Sequence, residues 1–350
     1  MKSSLPSELG YRMPAEWQPH AATWLSWPKD PETWPDRVPQ VQEIFLRMIE
    51  TLSPNETVNV LVDSDQIAQE VLQRCRPSAR NGVRFHSIPT VDSWIRDYGP
   101  NFLLSSDAGL AYNDWIFNAW GNKYEELKRD SDIPKRLEPV LQIPRFEPGI
   151  VMEGGSIEVD GRGCVLTTEQ CLLNPNRNPQ LTRSEIEQYL KVYLGAAKVL
   201  WLGEGIVGDD TDGHIDDIAR FVQPGVILCA VEEDPLDANF KPLQENLERL
   251  RRLTDANDRP FEIVTLPMPG VVGGSSTGNR NLERLPASYA NFYIANKVVL
   301  LPVFGHANDE KALDIIRRVF PERSVVGINC EPLVWGMGTI HCVTQQQPAI

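Results

Sequence analysis

Cys164-Val165-Leu166-Thr167-Thr168 is a short run of apolar and β-branched residues, the pattern of a buried strand. From Ser184-Glu185-Ile186-Glu187 to Leu194 the spacing becomes helical, opened by a capping box at Ser184 and stopped at Gly195. Lys198 to Leu202 reads as a second strand, and a polar, glycine-containing tip follows it, Asp212-Gly213-His214-Ile215-Asp216. The same order recurs on both sides. First strands are expected at Val58–Val62, Ala111–Phe117, Val226–Ala230 and Val298–Pro302. Helices are expected at Asp65–Cys75, Leu243–Leu253 and Asp309–Phe320, with a poor one, broken by Pro134 and Pro139, at Ile133–Leu141. Second strands are expected at Val83–Ile88, Phe261–Leu266 and Ser324–Asn329. Further tips hold Asp97-Tyr98-Gly99-Pro100, Glu153-Gly154-Gly155 and Gly338-Thr339-Ile340-His341-Cys342.

The five starts, near positions 58, 112, 165, 227 and 299, are separated by 54, 53, 62 and 72 residues. A strand–helix–strand–tip–strand unit cannot bury its own apolar faces; five around one axis can, and their tips then converge. Five unrelated βα units of a doubly wound sheet would also show regular spacing. The placement of Asp, Glu, His-x-Asp and Cys at matched offsets favours the ring. In the fourth unit Pro286-Ala287-Ser288-Tyr289-Ala290-Asn291 holds that place and offers no acid, base or thiol. The expected class is α/β, with residues 1–350 as one domain of five modules.

The 350 residues carry a net charge of −14, which argues against a nucleic-acid partner needing a basic face. Hydrophobic residues at 41% and charged residues at 23% exclude a disordered chain. No apolar run is long enough to span a bilayer, and the first residues hold no signal-peptide core, so a cytoplasmic protein is expected. Cys75, Cys164, Cys171, Cys229, Cys330 and Cys342 show no metal-type spacing and read as reduced thiols.

Cys342 stands apart. Gly336 and Gly338 lead to it, His341 adjoins it, and polar residues follow, whereas Cys229 lies mid-strand among aliphatics. His214 sits among Asp209, Asp210, Asp212, Asp216 and Asp217, whose charges are expected to raise its pKa. It reads as a solvated acidic turn, a cation site, or a base paired with a thiol. An EF-hand with Gly213 at its sixth position would need acids where Gly208 and Ala219 stand. A His-x-Asp iron site generally belongs to all-β double sheets, not to an alternating α/β chain. Taken singly, Asp97 reads as a partner of Arg96, and Glu153 as a turn residue. Taken with Asp216 they would place three carboxylates in one hole, which calls for a multivalent or a delocalised cation. A guanidinium offers five N–H donors in a planar fork that suits such acids.

Met13-Pro14-Ala15-Glu16-Trp17, Trp94-Ile95-Arg96-Asp97-Tyr98-Gly99-Pro100, Glu153-Gly154-Gly155, Thr168 to Pro179, Asp209 to Asp217 and Ile340 to Gln346 resemble, in order, the motifs of agmatine deiminases. These belong with the bacterial peptidyl-arginine-deiminase-like proteins of the guanidine-modifying, or pentein, superfamily. The resemblance implies a five-bladed α/β propeller, no metal or cofactor, and hydrolysis of agmatine to N-carbamoylputrescine and ammonia in polyamine synthesis. It implies that Cys342 is the nucleophile, His214 the acid/base, and Asp97, Glu153 and Asp216 the residues around the guanidinium. Trp94 and Asp210 fall where the far, amine end of the substrate would lie. The implied partner is a small cationic guanidine, with neither nucleic acid nor membrane; a homo-oligomer is compatible.

The bound cation and His214 are expected to favour the Cys342 thiolate. Where many relatives have Gly-Gly-Gly-Asn before Ile-His-Cys, this chain has Gly336-Met337-Gly338-Thr339. Val271–Arg280 reads as a flexible loop, its glycines lacking strand–loop–helix order. Competing readings are deimination of arginine or peptidyl arginine, amidino transfer, and a non-catalytic five-bladed binding protein, which would need neither Cys342 nor His214.

Overall fold

Each expected first strand forms the middle of its own sheet. The computed structural model describes residues 5–273 and 284–350. The expected Val271–Arg280 loop lies, from residue 274 onward, outside the described residues. Among those described there are five sheets. The first holds β1 (His20–Ser26), β2 (Thr57–Val62) and β3 (Val83–Ser87), and the second β4 (Asn101–Ser105), β5 (Gly109–Asn113) and β6 (Arg145–Phe146). The third holds β7 (Glu158–Val159), β8 (Cys164–Thr168) and β9 (Lys198–Leu202). The fourth holds β10 (Ala219–Gln223), β11 (Val226–Val231) and β12 (Glu262–Pro267), and the fifth β13 (Tyr293–Ala295), β14 (Val298–Val303) and β15 (Ser324–Asn329). From the second sheet to the fifth, the middle strand runs antiparallel to the strand before it and parallel to the one after it. The last strand, β16 (Gln345–Pro348), pairs antiparallel with β1, from His20↔Pro348 to Trp24↔Gln345, and so ties the two ends of the chain together.

Parallel neighbours need a long crossover, which supplies the place for a helix. Arg183–Leu194 buries Ile186, Leu190 and Leu194, each worth roughly 1.5–3 kcal/mol when fully buried. Its capping box is Thr182 with Glu185, two residues before the expected one, and Gly195 ends it at φ 70°. Phe240–Leu250 and Asp309–Val319 cover the fourth and fifth sheets, both within three residues of expectation. The second module departs most. Its strand stops at Asn113, short of Phe117, and its helix is two single turns, Ile133–Arg136 and Glu138–Leu141, separated where Pro139 enters. The fifteen-residue helix Val38–Leu52, between β1 and β2, was not anticipated. No helix among the described residues is long and apolar enough to cross a membrane.

The tips share one topological position. Asp97 lies between β3 and β4, Glu153 between β6 and β7, and His214 and Asp216 between β9 and β10. Asn291 lies between β12 and β13, and Cys342 between β15 and β16. Each leads from the last strand of one sheet to the first strand of the next.

Candidate active site

Three of these tips meet at Gly155, and the Cys342 tip touches one of them through Asp216. A Cβ built on Gly155 would lie 2.6 Å from His214 Nδ1, 2.9 Å from Asp97 Oδ1 and 3.1 Å from Asp216 Oδ2, so only glycine leaves the three side chains their places. His214 Nδ1 is 3.8 Å from Asp97 Oδ1, and Cys342 Sγ is 3.9 Å from Asp216 Oδ2. Cys342 is pressed against the other glycine of the site: a Cβ on Gly338 would meet its Sγ at 3.1 Å and Trp94 Cζ3 at 2.7 Å. The strand pairing that follows at Gln345 fixes the approach of this turn.

Local structure holds each group. Asp97 sits on the single helical turn Ile95–Tyr98; its Oδ1 accepts the Gly155 N–H and its Oδ2 the indole N–H of Trp120, both at 2.9 Å. Trp120 reaches it from an unusual segment. Ala119, Trp120, Gly121 and Asn122 have φ of 53, 52, 90 and 66°, and each non-glycine residue in that region costs roughly 1–2 kcal/mol. Asn118 steadies the segment, accepting the Gly121 N–H at 2.8 Å and donating to the Asn176 carbonyl at 2.9 Å. Asp209 shapes the His214 loop by accepting the N–H groups of Gly213 and His214 at 2.9 and 3.1 Å. Glu153 Oε1 accepts from Arg177 Nε at 2.6 Å.

Asp216 is held by a buried line of charge. His341 Nδ1 lies 2.6 Å from Asp216 Oδ2 and His341 Nε2 lies 2.9 Å from Glu16 Oε2. Two such contacts need two protons among the three groups, so the line carries one net negative charge wherever the protons reside. Arg220 lies 2.9 Å from both Glu16 and Glu158, and Arg96 lies 3.5 Å from Glu16. Lone buried charges would be costly; here the guanidiniums offset the acids.

Burial dominates the titration of the site. It pushes His214 down to about 3, overriding the carboxylates expected to raise it, so the ring is neutral at neutral pH. Burial, then the charges of Asp216, Asp217 and Asp97, pushes the Cys342 thiol well up. Without a substrate, His214 therefore brings no positive charge to Cys342, contrary to the expectation that it favours the thiolate. Asp97 is raised by burial and by Asp216 and Glu153; Glu153 is raised by burial, with Arg177 opposing. Burial also works against ionised Asp216, but the hydrogen bond and charge of His341, with His214 and Arg220, hold it low. Both ring nitrogens of His214, Glu153 Oε2 and Asp216 Oδ1 are buried without a hydrogen-bonding partner among the described residues.

A cavity of ≈ 510 Å³ opens from Cys342 and Asp97 past Trp94 and Trp120 to Asp210. Trp94 lines the cavity, with one edge of its ring beside Gly338 and Cys342. Asp210 does line the cavity, but Lys123 lies 3.3 Å from its Oδ1 and the Tyr124 hydroxyl donates to its Oδ2. Asp30, Glu32, Glu125 and Glu126 also line the cavity, and no Lys or Arg among the described residues does. Arg96 and Arg177 are sequestered by Glu16 and by Glu153 with Asp212. Glu153, Cys171 and His214 bring ligand-type atoms within 4.8 Å of one another, although Arg177 beside Glu153 opposes a divalent cation there.

Trp120, Arg177 as the partner of Glu153, His341, Glu16 and Asn291 escaped the functional reading of the sequence. The Ala-Trp-Gly-Asn stretch and the Asn-rich run 174–178 were the available signals for the first two. The other three become visible only through contacts between distant segments.

The α/β fold matches solved structures of the pentein superfamily. The chain belongs to the Porphyromonas-type peptidyl-arginine deiminase family, which it matches over residues 12–348. It is 40% identical to the agmatine deiminase of Medicago truncatula, over 99% of this chain and 98% of that one. The structure of an agmatine deiminase of Enterococcus faecalis superposes with a TM-score of 0.92 at 35% identity, covering 99% of this chain and 98% of that one. A C. jejuni agmatine deiminase with substrate bound superposes with a TM-score of 0.85 at 28% identity, covering 96% of each chain.

Proposed function

We propose that this chain is an agmatine deiminase, hydrolysing agmatine to N-carbamoylputrescine and ammonia through a covalent amidino-cysteine intermediate. The observation that carries this reading is the meeting of His214, Asp97 and Asp216 around Gly155, with Cys342 beside Asp216 in a cavity lined by acids. Relatives of high similarity across the whole chain carry the same activity in their names. We also infer that the five sheets are blades around a common axis, within one catalytic domain spanning residues 1–350, because five equivalent connections contribute to one site.

In this mechanism Asp97 and Asp216 grip the guanidinium N–H groups and aim its carbon at Cys342. The cation replaces the missing compensation for the acids and lowers the thiol pKa at the moment of binding. The thiol proton passes to His214, and the S–C bond forms. His214 returns that proton to the departing nitrogen, the C–N bond breaks, and ammonia leaves. Water then yields a proton to His214 and adds to the same carbon as hydroxide; the C–S bond breaks as the carbonyl forms, the hydroxyl proton leaves to solvent, and His214 returns its proton to sulfur. Proton transfer of this kind is worth roughly 10²–10⁴-fold. Glu153 adds negative charge beside His214 and is itself tied to Arg177.

Recognition of the far end follows from charge. The acids around Asp210 suit an alkylamine cation, and an α-carboxylate would meet no cationic side chain among the residues that line the cavity. The test is ammonia release from agmatine, arginine and a peptidyl arginine, with Cys342→Ser as control. Agmatine turnover at least about a hundredfold above arginine is expected from the uncompensated α-carboxylate of arginine. Preference for arginine would overturn the substrate assignment, and an active Cys342→Ser protein would overturn the mechanism.

A further inference from the structure

The fourth tip, which carries no acid, base or thiol, nevertheless reaches the sulfur. Asn291 is fully buried, and its Nδ2 lies 3.2 Å from Cys342 Sγ. The amide can face only one way. Its Oδ1 accepts the Thr339 hydroxyl at 2.7 Å and the backbone N–H of His341 at 3.0 Å, and a backbone N–H can only donate. The NH2 group is thereby turned toward Cys342. The backbone is pinned as well: the Asn291 carbonyl accepts the His341 N–H at 3.2 Å, while Arg220 donates to the carbonyls of Ala290 and Phe292 on either side. Around the same sulfur stand Asp216, Asp217 and Asp97, all of which oppose negative charge there.

We propose that Asn291 is a further catalytic residue, whose side-chain N–H donates to the sulfur of Cys342 and steadies it as thiolate. The inference rests on the proposed role of Cys342 as nucleophile. The amide acts twice. It favours the thiolate when the thiol proton passes to His214 and the S–C bond forms. The same hydrogen bond also stabilises the negative charge that returns to sulfur when the C–S bond of the adduct breaks and its electron pair goes to Sγ. Neither Asp97 nor Asp216 can do this, because an ionised carboxylate only accepts hydrogen bonds.

The test compares Asn291→Asp, which keeps Oδ1 for Thr339 and His341 but loses the donor, with Asn291→Ser, which shortens the side chain. The pH profile of Cys342 alkylation by iodoacetamide is read from the Cys342 peptide by mass spectrometry, alongside kcat and KM for agmatine. In both variants the alkylation profile is expected to move up by about one pH unit or more, and kcat to fall about ten- to a hundredfold, with KM nearly unchanged. A native alkylation profile in either folded variant overturns the inference. The unaltered chain supplies an independent measurement. The Asn291 side-chain amide resonance is expected to shift with Cys342 ionisation and to stop shifting in Cys342→Ala; an amide insensitive to the sulfur overturns the inference. The alkylation profile does not depend on turnover, so an active Cys342→Ser protein would refute the proposed mechanism separately.

Discussion

Gly155→Ala adds one methyl group at the point where the acid, the base and the positioning carboxylates meet. Gly155 lies outside the left-handed backbone region, so alanine brings no conformational penalty and the effect is purely steric. The new Cβ would stand 2.6 Å from His214 Nδ1, well inside the 3.4 Å at which ordinary contact begins, and 2.9 Å from Asp97 Oδ1. None of these groups is the free end of a flexible chain: His214 is wholly buried, and Asp97 is held by Gly155 and Trp120. Relieving the overlap requires the ring and carboxylate to part by something approaching 1 Å, a displacement that costs roughly 10²-fold in rate. Overpacking costs roughly 1–3 kcal/mol, so a chain of this size loses only a few degrees in Tm. The assay is steady-state ammonia release from agmatine beside thermal unfolding. The expected result is a folded protein with kcat reduced about a hundredfold. Native kcat and KM in Gly155→Ala would show that His214 and Asp97 do not act together at this point, and the reasoning would fall with it.

Trp120→Phe removes the N–H that supports Asp97 Oδ2; a hydrogen bond to a charged group is worth roughly 1.5–3 kcal/mol, so kcat/KM at neutral pH is expected to fall about ten- to a hundredfold. That bond lowers the Asp97 pKa, so its loss raises it further, and the acid limb of the pH–rate profile is expected to move to higher pH; an unmoved limb would contradict the role of Asp97 as a carboxylate. His214 also makes stability depend on pH: its folded pKa of about 3 lies below the unfolded value, so the unfolded chain takes up the proton first and stability is lost as pH falls below about 6.5. Relative to His214→Asn, the native chain is expected to lose about 1 kcal/mol between pH 7 and pH 5.5, read as a change in the gap between their urea midpoints; a constant gap would mean that the ring is not held neutral.

What the sequence could reveal followed from how local each signal is. A run such as Val226–Val231 is buried on both faces, and its β-branched and apolar residues announce that without reference to any partner. The helices that cover the sheets carry their own apolar stripe, and only their ends shifted, as with the cap at Thr182. Local signals failed where a partner decides the structure. In the second module Trp115–Phe117 has strand composition, yet β6 offers only two residues to pair with β5, and beyond it the pairing resumes only as the single parallel bridge Ile116↔Val151. The site divides along the same line. Cys342, His214, Asp97 and Glu153 are recognisable because reactive groups beside glycines are uncommon, and their offsets repeat. The sign of the His214 shift was not recognisable, because five neighbouring acids in sequence say nothing about burial, and burial is the larger effect. Asn291 is the sharper case. Its amide is an ordinary polar group until Thr339 and the His341 N–H occupy its oxygen, and only that occupation turns its nitrogen to the sulfur. A residue without intrinsic reactivity thus gains a chemical role from the orientation that its neighbours impose.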